Sequence, residues 1–188
     1  MSRPFLAKYR RQLLSTATGN ILEIGFGTGL NLPFYPGHVH QITIVDPNVG
    51  MNRLAQKRIS QTTIEVDQRI LSGERLPFGD NTFDSVVSTF TLCSIKDVHQ
   101  ALKEVYRVLQ PGGRFLFLEH GISPDSKVQK WQRRLNRLQM LLAEGCWLDR
   151  NIRALVVSQP YSSVEIEEFY MEKSPKTHGY LYSGNAAK

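Results

Sequence analysis

The sequence predicts an α/β chain: a doubly wound, mostly parallel sheet of seven strands with a C-terminal antiparallel hairpin. Three observations carry the prediction. Short apolar runs at residues 20–24, 41–45, 63–66, 83–90 and 113–119 alternate with helical patterns. Two stretches, Phe83 to Phe90 and Arg114 to Glu119, are nearly continuous in apolar and small residues, as strands covered on both faces are. A last pair of runs, 162–170 and 178–186, follows closely enough to pair as a closing hairpin.

The elements between these strands are read from helical spacing. Leu6, Tyr9, Leu13 and Leu14 form an apolar stripe with Lys8, Arg10 and Arg11 around it, so a leading helix ends before Gly19. Met51, Leu54, Ala55, Arg58 and Ile59 mark a helix after the second strand. Val98, Ala101, Leu102, Val105, Val108 and Leu109 make an amphipathic crossover helix, which Pro111-Gly112-Gly113 stops. After Glu119 the chain spends about 40 residues before the next strand, far more than a crossover needs. Residues 121–160 are therefore read as a helical cap inserted within a single domain, 1–188. The cap contains a basic helix from Lys127 to about Leu142. Val128, Trp131, Leu135, Leu138 and Leu142 share one face of it, with Lys130, Arg133, Arg134 and Arg137 elsewhere.

Composition bounds the partners. Twenty-three Lys and Arg against 17 Asp and Glu leave +6 over 188 residues, which favours anionic ligands or surfaces. Two cysteines make no disulfide framework, and no Cys/His spacing of a structural zinc site occurs, so the expectation is a reducing compartment and no metal. The first residues lack an apolar signal region, and no window approaches the roughly 20 uncharged residues of a membrane span. The expected location is cytoplasmic.

The chemistry lies at the first strand's end. Glu23-Ile24-Gly25-Phe26-Gly27-Thr28-Gly29 is a glycine-rich turn where backbone can approach a ligand and point N–H groups at it. Its spacing is not the dinucleotide pattern Gly-x-Gly-x-x-Gly, and an acid precedes the first glycine. Glu23 would repel a pyrophosphate but suits a cationic amino group. Asp46, ending the second strand, is placed to accept both hydroxyls of a ribose. An adenosyl ligand without phosphates meets these constraints.

With that turn, the stretches 72–84 and Glu104 to Arg114 make the chain resemble the class I S-adenosylmethionine-dependent methyltransferases, whose sheet is Rossmann-like, over nearly its whole length. The resemblance implies S-adenosyl-L-methionine as cofactor. It assigns donor binding to Glu23, Gly25, Gly27, Gly29, Asn31, Asp46, Pro47, Met51, Ser72, Gly73, Glu74 and Thr89. Ser72, Gly73 and Glu74 would lie along the adenine edge, and Thr89 to Ser94 beside the methionine end. Many relatives carry an aspartate where Ser72 stands, so a hydroxyl would make the adenine amino contact here.

A narrower resemblance rests on Phe34-Tyr35-Pro36-Gly37, Val45 to Asn48, Thr91 to Ile95, Leu118-Glu119-His120, Gly145 to Arg150 and Pro175 to Gly179. These segments are similar to the methyltransferase-like group that includes the membrane-anchored mammalian alkyl-thiol methyltransferases. The chain begins where such an anchor would end, so the expectation is a soluble bacterial-type relative.

The acceptor is then a small molecule, with a thiol as the lead. Only the thiolate is a good nucleophile, so a base or positive field is useful. His120, one residue past the fifth strand, is the first candidate to take that proton, against an equal reading as a loop-bonding histidine. Cys93 would face the methyl donor and is the other candidate on the catalytic side, although a packing role is the commoner one and it is not assigned as a nucleophile. Cys146 and Trp147 roof the acceptor pocket or anchor their loop; His178 is similar. Tyr9 closes over the methionine moiety or is simply core. Charges from Lys127 to Arg137 are a solvated face, with peripheral membrane contact the minority reading.

Two alternatives stand beside this expectation: a methyltransferase of lipid amines or quinone-type carbon at a membrane surface, and a non-catalytic S-adenosylmethionine-binding module. Nucleic acid is not an expected partner. No Asn-Pro-Pro-Tyr-type segment follows the fourth strand, and no basic domain is appended.

Overall fold

At the centre of the sheet Val86 and Val87 point to opposite faces, each into its own apolar layer. This is why the run that contains them lacks a polar side. The computed structural model describes residues 4–142 and 145–188, and of Pro4, Asn52, Arg137, Leu138 and residues 140–142 the backbone only. Its elements are α1 (Pro4–Leu14), β1 (Ile21–Ile24), β2 (Gln41–Val45), α2 (Val49–Ile59), β3 (Glu65–Arg69), β4 (Phe83–Thr89), α3 (Val98–Val108), β5 (Leu109–His120), α4 (Ser126–Leu142), α5 (Ile152–Val157), β6 (Ser163–Tyr170) and β7 (Tyr180–Ala187). A single 3₁₀ turn spans Leu32–Phe34.

Seven strands pair in the order β3-β2-β1-β4-β5-β7-β6. β1 through β5 run parallel to one another, and β7 runs antiparallel to both β5 and β6. The expected mixed sheet with its terminal hairpin is the one observed. Strand order reverses between β1 and β4, so their carboxyl ends open the crevice where ligands of open α/β sheets bind.

β5 shows how the two faces are filled. Phe115 and Phe117 enter one layer with Leu102 and Val105 of α3, whereas Leu116 and Leu118 enter the other with Leu6, Leu13 and Leu14 of α1. Each fully buried side chain of this kind contributes roughly 1.5–3 kcal/mol over exposure. The crossover helix α3 starts where Asp97 accepts a hydrogen bond from Gln100 N at 3.0 Å.

Four local expectations are corrected. β3 lies at 65–69 rather than 63–66, because an edge strand exposes Glu65 and Arg69 and needs no apolar run. β5 begins at Leu109, so Pro111 to Gly113 fall within a strand rather than in a turn before it. Leu54 faces solvent from α2, and Ala55 carries the burial there.

The fourth concerns α4. Trp131 is 56% exposed, stacked under Arg134 at 5.5 Å, and not on an inner apolar face. The inner face is carried by Val128, Gln132 and Asn136, the last two being buried polar residues. Gln132 accepts from Ser123 N at 3.0 Å and donates to Gly121 O and Thr177 O. Asn136 accepts from Leu148 N at 2.8 Å. Loop backbone that a sheet would have satisfied is satisfied here by side chains. The side chains of Leu138, Leu142 and Arg137 lie outside the described residues.

The segment 121–160 holds two helices of different kinds. α4 runs beside the sheet's carboxyl edge, whereas Ile152, Leu155 and Val156 of α5 join the same apolar layer as α3.

Candidate active site

β1 delivers Glu23 to the crevice with its side chain buried. The carboxylate accepts from Asn31 Nδ2 at 2.8 Å and from Tyr35 OH at 2.7 Å. Burial pushes this carboxyl up to about 7, against the downward pull of those two hydrogen bonds and of Arg10. Arg10, only 5% exposed, reaches from α1 and donates to Asn31 Oδ1 and, at 3.0 Å, to Thr89 Oγ1 at the end of β4. Arg10, Asn31, Glu23, Tyr35 and Thr89 thus form one buried polar network.

The glycine turn follows. Gly25 has φ +71°, and a Cβ on it would stand 2.0 Å from Thr91 Oγ1, so this position needs glycine for space as well as for conformation. Gly27 has φ +56° and faces open space instead. Its N–H donates to Asp46 Oδ2 at 2.7 Å, while Asn48 N donates to Asp46 Oδ1 at 2.8 Å. Two backbone N–H groups therefore hold the Asp46 carboxylate at the end of β2.

Two cavities of about 550 and 540 Å³ share Gly25, Gly27, Met51, Phe90 and Ser94 as common walls. The first is lined by Arg10, Glu23, Asn31, Thr89, Cys93, His120, Cys146 and His178, among others. The second is lined by Asp46, Pro47, Ser72, Gly73 and Glu74. Every residue assigned to the donor except Gly29 thus borders one of the two; Gly29 supports the turn, its N–H donating to Phe26 O at 3.0 Å. Ser72 Oγ bonds within its loop, accepting from Glu74 N at 3.2 Å, and Glu74 accepts from Asp97 N at 2.7 Å.

Three segments meet in the lining of the first cavity. Cys93 comes from the loop after β4, His120 closes β5, and Cys146 follows α4; all are buried. His120 Nε2 lies 2.9 Å from Cys146 Sγ, and one ligating atom from each of the three lies within 4.8 Å of the others. The hydrogen bond from Cys93 pulls the Cys146 thiol down to about 4, with His120 helping, while that same bond and burial push the Cys93 thiol well up. Both sulfurs and the His120 imidazole nitrogen border this one point.

Backbone contacts fix this meeting point. Trp147 N donates to Cys93 O at 2.9 Å, and the Arg150 guanidinium donates to the carbonyls of Leu92 and Ile95. Glu119, fully buried, accepts from Ser88 Oγ at 2.8 Å and from Thr91 N at 2.9 Å, tying the β4 loop to β5.

Two residues of the buried polar network, Arg10 and Tyr35, were not among those expected. Arg10 lay hidden as a flanking cation, although Leu6, Arg10, Leu13 and Leu14 fall on one helical face, and an arginine on an apolar stripe was the available signal. Tyr35, in the segment Phe34-Tyr35-Pro36-Gly37, donates to Glu23 and holds it. Tyr9 stacks on Phe169 with ring centroids 4.3 Å apart and does not line the first cavity. Trp147, half-buried, lies under Arg150 at 5.9 Å, and of the pair only Cys146 lines the first cavity. His178 borders the same cavity, bonded to Thr177 Oγ1 at 2.8 Å.

The Methyltransferase domain family matches residues 22–117. The chain is 34% identical over 151 residues to thiol S-methyltransferase TMT1B of Rattus norvegicus, covering 78% of this chain and 62% of that protein. It is 33% identical over 170 residues to thiol S-methyltransferase TMT1A of Homo sapiens, covering 86% and 69%. The matches span about two thirds of the length of these relatives. Among solved structures, phosphoethanolamine N-methyltransferase 2 of Haemonchus contortus, in complex with phosphomonomethylethanolamine and S-adenosylhomocysteine, shares the fold with a TM-score of 0.74. Its identity is 17%, over 98% of this chain and 52% of that one.

Proposed function

The chain belongs to the methyltransferase-domain family of S-adenosylmethionine-dependent enzymes, and on that premise we propose that it transfers a methyl group to the sulfur of a small thiol. When bound, S-adenosylmethionine supplies an electrophilic methyl on a sulfonium. Its zwitterionic amino-acid end suits the network that places the Arg10 cation and the Glu23 carboxyl on one cavity wall. Its ribose hydroxyls suit Asp46, and its adenine suits the cavity bordered by Ser72, Gly73 and Glu74. The open side of Gly27 leaves room for such a ligand to cross between the two cavities.

The observation that carries the acceptor is the cluster of Cys93, His120 and Cys146 lining the same cavity as Glu23 and Thr89. Methyl transfer needs in-line approach, exclusion of water and, for a thiol, loss of the S–H proton. A buried imidazole with two sulfurs is suited to produce and hold a thiolate. The named activity of the TMT1 relatives supports the same reading. The test is transfer of labelled methyl from the donor to a panel of alkyl thiols, sulfide, amines, phenols and lipid extracts. Thiols or sulfide should be labelled; labelling of amines or lipids with no labelled thiol would replace this reading.

A second proposal concerns where the protein works. Trp131 is exposed on α4 with Lys127, Lys130, Arg133 and Arg134 around it, a composition suited to peripheral contact with an anionic membrane surface. Among the described residues no helix is long and apolar enough to cross a membrane. Sedimentation with anionic vesicles should retain the protein, and retention should fall in a Trp131→Ala variant; equal recovery with neutral vesicles would remove the proposal.

A further inference from the structure

Among the described residues, Cys93, His120 and Cys146 are the one group of three or more His, Cys, Asp or Glu side chains gathered closely enough to hold a metal ion. Their linear separation conceals this: His120 and Cys146 alone are 26 residues apart. Around a tetrahedral zinc ion, with bonds of about 2.3 Å to sulfur and about 2.0–2.1 Å to nitrogen, ligand atoms stand about 3.5 Å from one another. His120 Nε2 lies 2.9 Å from Cys146 Sγ and no pair is more than 4.8 Å apart, separations compatible with that value. Small side-chain rotations would equalise them.

The donor set is selective. Two thiolates and an imidazole suit zinc and disfavour magnesium or calcium, which require oxygen. Three protein ligands with one side open to a cavity is the pattern of a zinc site that binds substrate, as distinct from the closed four-ligand pattern of a structural one. The same cavity is lined by Glu23, Asn31 and Thr89, which are among the residues assigned to the donor. The ligand-bearing loops are already pinned by Trp147 N to Cys93 O and by Arg150 to the carbonyls of Leu92 and Ile95, so a metal need not fold them.

We propose that Cys93, His120 and Cys146 bind a zinc ion whose fourth position takes the acceptor thiol. This rests on the thiol reading above and says how the thiol is activated. On coordination the acceptor R–SH binds as R–S⁻ and its proton leaves to solvent, since a thiol bound to zinc is deprotonated. A new S–CH₃ bond forms as the methyl–sulfonium bond breaks, and that bond's electron pair stays on the donor sulfur. The products are R–S–CH₃ and S-adenosylhomocysteine. The ion changes no oxidation state, and His120 acts as a ligand.

The test uses the full chain stripped with a chelator, then titrated with zinc against a competing indicator and with cobalt(II) by absorption. One cobalt per chain, with thiolate-to-cobalt charge transfer and the intense visible bands of tetrahedral cobalt, is expected. Cys93→Ser, Cys146→Ser and His120→Ala should each weaken zinc binding by at least about 100-fold, beyond the range of outer-shell changes. Calorimetric affinity for S-adenosylhomocysteine checks that each variant folds. If the wild-type chain binds neither ion more tightly than the variants, or if the chelated chain methylates thiols at the full rate, the proposal is overturned while the thiol reading stands. If the ion binds as described but no thiol is methylated, the thiol reading fails and the metal site remains.

Discussion

Arg10 and Glu23, from a helix and a strand, are joined through one side chain: Asn31 accepts from the guanidinium with its oxygen and donates to the carboxylate with its nitrogen at 2.8 Å. This places a cation and an acid on one wall with their geometry set before any ligand arrives. Arg10→Met should therefore weaken binding of S-adenosylhomocysteine by about 10- to 100-fold, the loss of one charge-assisted contact. Arg11→Met, at the exposed neighbouring position, should leave affinity unchanged. Isothermal titration calorimetry of both variants makes the comparison.

The same network gives the empty protein a pH dependence. In the unfolded chain Glu23 titrates at its ordinary value near 4.5, while burial raises it to about 7 in the fold. The folded state thus favours the protonated acid, a contribution fully present below pH 4.5 and lost as pH rises through 7. Over that window wild type should lose stability relative to Glu23→Gln by up to roughly 3 kcal/mol. Urea denaturation of both proteins from pH 4 to pH 8 measures the difference, and parallel curves would refute the assignment.

Two glycines should fail in different ways. Gly25→Ala drives its Cβ into Thr91 and should destabilise the fold by several kcal/mol, seen as a large fall in Tm. Gly27→Ala meets nothing within 4 Å and should cost only the left-handed backbone conformation, about 1–2 kcal/mol. Its methyl group faces the space assigned to the donor, so calorimetry should show donor affinity falling while the fold persists.

On α4, neighbouring residues should behave oppositely. Gln132→Leu leaves Ser123 N and two carbonyls without partners and should destabilise the protein by about 1–3 kcal/mol or more. Trp131→Ala should change stability by less than about 0.5 kcal/mol, as for other exposed positions. Thermal denaturation of the pair decides whether the inner face of α4 is the polar one.

These contrasts mark where sequence periodicity carries structural information. β4 and β5 were legible because burial on both faces leaves a continuous apolar run, and the glycine turn because its acid and its spacing are local. The inner face of α4 was not legible. It is held by Gln132 and Asn136 bonding to loops, and a count of apolar positions turns Trp131 inward instead. β3 shifted for a related reason, since its outer residues need no apolar signal. Arg10 lies on the buried helical face with Leu6, Leu13 and Leu14, where its charge masks the apolar pattern. The meeting of Cys93, His120 and Cys146 depends on three segments converging at the sheet edge, and linear spacing contains no trace of that.

The central claim is that one cavity brings the methyl donor to a thiol activated at His120. The most direct measurement is the rate of labelled-methyl transfer to a small alkyl thiol by wild type and His120→Ala, with donor affinity measured alongside. We expect thiol methylation by wild type, a loss of about 100-fold or more in the variant, and donor affinity preserved within about twofold. An unchanged rate in His120→Ala, or a wild-type protein that binds the donor and methylates no thiol, would contradict the account.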